Sequence, residues 1–368
     1  MALSLFSMQS IILNIVVGAT TLKVISTEKK DTDIIINSSV ILTSGNKLFL
    51  NEHSLNFALI EDRLSMFMIE NNIKRAKACF ALPDYIAPTV IAPKEKLYDN
   101  SYITSLVKGK NFEELLDMPI EDEFSKTLDC QIIKSGMYNS STEEDGFTDL
   151  AVTYIDTEIV KNLKRMCKRI KLTPLVLESE SASLIRLIDM FEVKDNFMII
   201  DVGDIYAKII VLNNTSGLKI TTVPSGLYKV DSILAAFRGS NIKLSRQQRV
   251  TSGMIAFTDM EYDMVREYIN RNFSETILEE LQTIHLNYHG FHYIKNFFIT
   301  GGAWSYFEFK ETIQEQTMDT FNSESRHFET FEVLLDKVIF GNHIVERDIR
   351  DNICLFASCV GLSLRGGI

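Results

Sequence analysis

Three stretches of this chain set a glycine turn against strand-forming residues, and each could bring backbone N–H groups to an anion. Ile11–Val17 runs into Gly18-Ala19-Thr20 and on into Thr21–Ile25. Phe197–Val202 runs into Gly203, and Ala207–Leu212 continues as another strand. Phe297–Thr300 ends in Gly301-Gly302-Ala303. The N–H groups of a tight turn converge on a concavity that attracts negative charge. Two such turns facing each other would clamp the β- and γ-phosphates of a nucleotide from opposite sides. Asp201, at a strand end, is placed to hold Mg²⁺ through water, since Mg²⁺ keeps much of its hydration shell. Gly301 and Gly302 would let the backbone approach an adenine or ribose closely. Structural readings stand beside these: Asp201 as a turn cap, and Gly301-Gly302 as a plain helix-entry turn.

Two other constellations carry charge or metal-binding groups. His285, His289 and His292 are spaced i, i+4 and i+7. Gly290 interrupts that helix and no acidic residue has metalloprotease spacing, which favours an ordinary amphipathic terminus. Lys161, Lys164, Arg165, Lys168, Arg169 and Lys171 form a basic face. Such a face is either solvated or turned toward anionic lipid or an acidic partner. No Walker A lysine phrase occurs in the chain.

The elements that must position these groups can be read from periodicity. Two copies of strand, glycine turn and strand, half a chain apart, predict an internally duplicated α/β protein. Ala76–Leu82 reads as a strand closed by Pro83. Residues 84–149 hold Pro88, Pro93 and Pro119, the acidic cluster Glu121–Glu123 and the polar turn Asn139–Gly146, a shift that predicts an inserted subdomain. Ile159, Val160, Leu163, Met166 and Ile170 repeat at helical spacing behind Asp156 as N-cap. A second helix follows at Ser179–Phe191. The division is then 10–83 with 150–190 as the first half, 191–226 with 293–347 as the second, and 227–292 as a helical subdomain. The closing helix, 348–365, carries small residues at Ala357, Ser358 and Gly361 for close packing back on the first half.

Composition bounds what such a chain can do. With 368 residues and 46% hydrophobic content it can bury a core of two units. Its 49 acidic against 38 basic residues give a net charge of −11, which repels phosphate backbones and excludes nucleic acid as a partner. Cys79, Cys130, Cys167, Cys354 and Cys359 include no CxxC pair, so reduced thiols in the cytosol are expected. Met1–Leu22 has no charged side chain, but it lacks a basic n-region and is interrupted by Ser7, Gln9, Ser10 and Asn14. It reads as a short tail before a buried strand, not as a signal or a membrane span.

The order of the three glycine turns, with Lys171–Glu178, Leu281–Tyr288 and Ala357–Arg365, resembles the PilM family of type IV pilus assembly proteins. Those are relatives of the division protein FtsA in the actin-like ATPase superfamily, and the resemblance spans almost the whole chain. It implies an α/β actin-like ATPase fold, two related halves around a nucleotide cleft, with a 1C-type inserted subdomain at 84–149. It implies ATP or ADP with Mg, held by Gly18, Ala19, Thr20, Asp201, Gly203, Thr300, Gly301, Gly302 and Ala303, with Asp201 toward the metal. Glu178 matches an acidic position on a helix that positions water or metal in some relatives; a carboxylate favoured by a helix dipole reads equally well. The implied partners are the cytoplasmic tail of a PilN-type membrane protein and other pilus assembly proteins, at the inner face of the cell membrane. Val16 stands where the family's first phosphate loop has Asp. Asp204-Ile205-Tyr206 stands where its second has small residues and Thr. An aspartate repels a phosphate and a tyrosine crowds it. Weak or absent hydrolysis is expected; an active Mg-dependent ATPase or phosphotransferase and a polymerising actin homologue are the competing readings.

Overall fold

The computed structural model describes residues 11–30, 33–43, 48–51, 54–94, 98–109, 111–116, 125–137, 146–190, 197–213, 217–252, 257–287, 294, 296–302, 311–313, 315, 327–330, 339–340 and 353–366. β1 (Ile12–Val17) and β2 (Thr21–Lys30) form the expected antiparallel hairpin, and β3 (Asp33–Thr43) extends it. Their Ile, Val and Thr residues suit a pleated surface. After the short pair β4 (Phe49–Asn51) and β5 (Ser54–Leu55), Asn56 caps α1 (Phe57–Glu70) by accepting the Leu59 N–H. β6 (Ala76–Leu82) then lies parallel to β1.

β7 (Thr89–Lys94), α2 (Asn100–Gly109), α3 (Phe112–Leu116), β8 (Lys126–Met137) and β9 (Gly146–Asp156) build a separate unit. Its sheet runs β7-β9-β8 over a small core that includes Ile103, Leu115 and Val152. The insert expected to end at 149 therefore runs on to Asp156, because β9 stays paired to its last residue, opposite Lys126. Asp156 caps α4 (Thr157–Arg169) through the Glu158 N–H, as the spacing predicts. β10 (Leu172–Ser179) lies parallel to β6, and α5 (Glu180–Met190) follows.

The second half repeats this plan. β11 (Phe197–Val202), β12 (Ala207–Asn213) and β13 (Gly217–Val223) form the same antiparallel meander as β1-β2-β3. Helices α6 (Tyr228–Arg238), α7 (Ile242–Ser252), α8 (Asp259–Tyr268), a π-helical turn at Ile269–Phe273 and α9 (Ser274–Asn287) come next. β14 (Asn296–Gly301) is parallel to β11 and β15 (His327–Thr330) to β14, as β6 is to β1 and β10 to β6. β16 (Ile339–Phe340) departs from expectation: it pairs with Ile35 and Ile36 of β3, so part of the stretch expected in the second half joins the first sheet. A 3₁₀ turn at Ile353–Phe356 leads into α10 (Ala357–Gly366). No disulfide joins the five cysteines.

Alternation along the strands sorts side chains into layers. Leu13, Ile15 and Val17 pack outward with Ile60 of α1 and Leu163 of α4. Ile12 and Val16 face the other way, into a core shared with Leu184 of α5, Val360 of α10 and Phe197 and Ile199 of the second sheet. Met198, Ile200 and Val202 point out beneath Leu234, Val265 and Ile277 of α6, α8 and α9. The two sheets thus sandwich α5 and α10. At Gly361 a Cβ would sit 2.0 Å from the Ser183 carbonyl oxygen, which is why a small residue is needed there.

Candidate functional site

The hairpin registers align the two halves residue by residue. Val17 pairs with Leu22 and Val202 with Ala207, which leaves turns Gly18–Thr21 and Gly203–Tyr206 of equal length. Each is closed by its glycine N–H, 2.8 Å from the Thr21 carbonyl oxygen and 2.9 Å from that of Tyr206. Val16, Ala19 and Lys23 of the first half therefore correspond to Asp201, Asp204 and Lys208 of the second.

The two turns meet each other. The Thr20 hydroxyl donates to the Asp204 carboxylate. Arg249 of α7 donates to the other Asp204 oxygen at 2.9 Å, and Asp231 of α6 accepts from Arg249 at 2.6 Å and Arg246 at 3.0 Å. Burial alone would raise the Asp204 pKa, but Arg249 and Arg246 outweigh it and hold the carboxyl below its usual range. The second turn is stapled by N–H groups at the start of α6: Leu227 to the Gly203 carbonyl at 3.1 Å and Tyr228 to that of Asp204 at 2.6 Å. Tyr206 packs on Tyr85 with ring centroids 5.5 Å apart. The first turn is tied down where Leu48 donates to the Ala19 carbonyl at 2.9 Å.

Beneath the turns lies a buried lysine. Lys208, 6% exposed, stands opposite Asp201 in the β11–β12 register. Its ammonium is 2.5 Å from Glu180, 3.1 Å from Asp201 and 3.2 Å from Asp84. Glu180 opens α5 and Asp84 follows β6, so this cation joins carboxylates of both halves. Burial opposes the charge, yet Glu180, Asp201 and Asp84 overcome it and hold the Lys208 pKa well above the ordinary lysine value. Glu180 is likewise lowered against burial by Lys208 and Lys23. Asp84 goes the other way: burial raises it more than Lys208 lowers it.

The third turn packs on the second. Gly301 has φ +82°, and a Cβ there would fall 2.3 Å from the Val202 carbonyl oxygen and 2.5 Å from the Asp201 carboxylate. Thr300 donates to the Cys354 carbonyl at 2.6 Å, and a Cβ on Gly302 would meet Leu227 at 2.5 Å. Ala303 lies outside the described residues, as do His289 and His292. The predicted trio of turns is therefore brought together, with Asp201 at its centre. Glu178 needs correction. It lies in strand β10, one residue before its end, instead of on a helix, and it is fully buried. Arg186 grips both its oxygens at 2.8 and 2.7 Å, and Arg365 and Ser183 each bind it at 2.8 Å. A carboxylate so enclosed has no direction left from which to activate water, and it ties β10 to α5 and α10.

The residues present do not fit a Mg-nucleotide in this arrangement. The oxygens that would face a metal surround an ammonium, and the turn that would cradle a phosphate presents a carboxylate. Among the described residues no cluster of His, Cys, Asp or Glu is arranged to hold a metal ion. A cavity of about 870 Å³ opens beside Asp204 and Ile205, walled by Tyr228, Met264 and Arg271 among others, all from the second half. Lys208, Glu180, Asp84, Arg246 and Arg249 were missed from sequence. Lys208 had left one signal, a lone cation inside the apolar run Ala207–Leu212.

No family model matches the sequence, and no curated protein matches it. Similarity appears in structure. The PilM–PilN type IV pilus biogenesis complex matches with a TM-score of 0.70 at 15% identity, over 97% of this chain and 98% of that one. The ethanolamine utilization protein EutJ from Carboxydothermus hydrogenoformans gives 0.52 at 8% identity, over 96% of this chain and 89% of that one. A nucleotide-free diol dehydratase-reactivating factor gives 0.50 at 8% identity, over 97% and 99%. Two halves of one topology, meeting at paired glycine turns and matched end to end by these structures, give this chain the actin-like ATPase fold.

Proposed function

We propose that the protein is a scaffold of a type IV pilus assembly machine. It docks the cytoplasmic tail of a PilN-type membrane partner and stands at the inner face of the cell membrane with other pilus assembly proteins. The observation that carries this reading is the end-to-end likeness to the PilM–PilN complex, which extends through the insert. The insert, residues 84–156, is the 1C-type subdomain of this scheme. Among the described residues no helix is long and apolar enough to cross a membrane, which accords with attachment through a partner.

The cleft works here as a fixed joint. Lys208 supplies the positive charge that a metal would otherwise bring to Asp201, Glu180 and Asp84. Asp204 supplies the negative charge that a phosphate would otherwise bring to Arg249. Fold alone does not dictate catalysis, and this charge arrangement argues against turnover. The test is a pull-down of the intact protein with a PilN-type tail peptide, with and without Mg-ATP. Capture of the peptide to the same extent in both is expected. No capture in either condition would sink the scaffold reading, and capture only with Mg-ATP would sink the fixed joint.

A further inference from the structure

We infer that the outer face of α4, with the adjoining turns at its C-terminal end, is a surface that binds anionic phospholipid directly. Between residues 157 and 171 there are six cations and one carboxylate, Glu158, in a chain whose net charge is −11. All six cations are exposed. Apolar residues Ile159, Leu163 and Met166 bury the opposite side of the helix, which leaves the cations in one outward stripe.

Some of these charges are already engaged. Arg169 is held bidentate by Glu61, while Arg165 and Lys161 share Glu158 at 3.7 Å each. Lys164, Lys168 and Lys171 make no ion pair among the described residues. The strand register brings two more cations to the same end. Leu172 pairs with Ala76, so Lys74 and Arg75, which lead into β6, lie beside Lys171. They too are exposed and without an ion pair among the described residues. The result is an exposed cationic array dominated by lysines.

Its surroundings favour a bilayer over an acidic protein. Ile69 is 76% exposed beside the Lys74-Arg75 turn, and Leu175 is 42% exposed on the edge strand after Lys171. Ile11, whose carbonyl accepts the Lys77 N–H at 3.0 Å, brings the chain into the fold at this end. Cations flanked by apolar side chains match headgroups with hydrocarbon behind them. The acidic remainder does not cancel the attraction, because charges more than about 8 Å from the lipid plane are screened at physiological salt.

The test is co-sedimentation of the full chain with vesicles of phosphatidylcholine, with and without about 30 mol % phosphatidylglycerol. It needs no pilus partner, so it stands or falls apart from the scaffold reading. Binding to the anionic vesicles only, lost at about 0.5 M salt, is expected. Each lysine near an anionic surface strengthens partitioning about fivefold, so removing three should weaken it on the order of a hundredfold. The variant is Lys164→Gln, Lys168→Gln and Lys171→Asn; Asn is chosen because Lys171 has φ 60°, which Asn tolerates. Lys243→Gln, exposed on α7, should leave binding unchanged. No sedimentation with anionic vesicles, equal sedimentation with neutral ones, or a triple variant that binds like the parent would each overturn the inference. So would capture by polyglutamate without vesicle binding, which would assign the face to an acidic protein.

Discussion

Replacing Lys208 with methionine tests whether the cleft is held by its own charges. The side chains are similar in length, so the change removes an ammonium and little volume. It leaves Asp201, Glu180 and Asp84, all within 3.2 Å of the lost charge, buried with Lys23 as the remaining nearby cation. Breaking a buried ion set by deleting one partner costs about 3–5 kcal/mol. In a chain of 368 residues that is a melting-point drop on the order of 4–6 °C at neutral pH. The loss should shrink as pH falls, because uncompensated buried carboxylates have raised pKa values and protonation relieves them. Adding Asp201→Asn and Glu180→Gln to Lys208→Met should recover most of the stability, since removing both signs of a buried set is close to neutral. Urea denaturation of the parent, single and triple variants at about pH 7 and about pH 5 reads all three effects. A single variant as stable as the parent at neutral pH, or a triple variant no better than the single, would refute the reasoning.

Asp204→Asn removes the carboxylate that faces the phosphate position while leaving Arg246 and Arg249 in place; ADP binding by calorimetry should tighten about tenfold or more, the effect of deleting one repulsive charge, and unchanged binding would count against a charge-blocked cleft. Gly361→Ala should destabilise by about 1–3 kcal/mol in urea, because its Cβ would strike the Ser183 carbonyl at 2.0 Å, whereas Gly109→Ala, with nothing within 4 Å, should be neutral. Glu178, Glu180 and Asp204 have folded-state pKa values below their ordinary ones, so their stabilisation is complete above about pH 4.5 and fades as pH falls through the depressed values. Asp84, raised by burial, partly offsets that loss because acid relieves its penalty. Lys208, held well above its ordinary 10.5, contributes in full below about 10.5 and loses that contribution as pH rises from there through its higher value. Urea midpoints should therefore stay level from about pH 5 to about pH 8, above which the buried thiols of Cys79, Cys167 and Cys359, pushed up to about 12, begin to cost stability; a steady decline within that window would contradict the lysine assignment.

What could be read from sequence was local. The hairpins at Val17 and Val202, the Asp156 cap and the small residue at Gly361 follow from β-branched runs, capping chemistry and steric need, each decided within a few positions. The site's residue partners were not local. Lys208 meets Glu180 and Asp84 across the interface between the halves, and Thr20 meets Asp204 across 184 positions of sequence. Glu178 misled for the same reason. Its neighbours along the chain suggested a helix start, whereas its partners Arg186 and Arg365 come from two helices packed behind the sheet. The end of the insert was placed by composition, which changes before β9 stops pairing.

The duplicated registers set different residues at equivalent positions of the two halves. Val16 and Lys23 in one half answer to Asp201 and Lys208 in the other, so one lysine faces a valine and the other a carboxylate. The unmatched carboxylates of Glu180 and Asp84 then gather on Lys208 from the opposite half. Because desolvation offsets much of the attraction in a buried ion set, this network need not make the closed form very stable. What it removes is a ligand's leverage. A nucleotide shifts a hinge only by binding one state better than the other, and reversing a 99:1 preference takes roughly 5.5 kcal/mol of differential affinity. With Asp204 bound to Arg249 and Thr20, a phosphate entering the closed form must first displace a carboxylate from both.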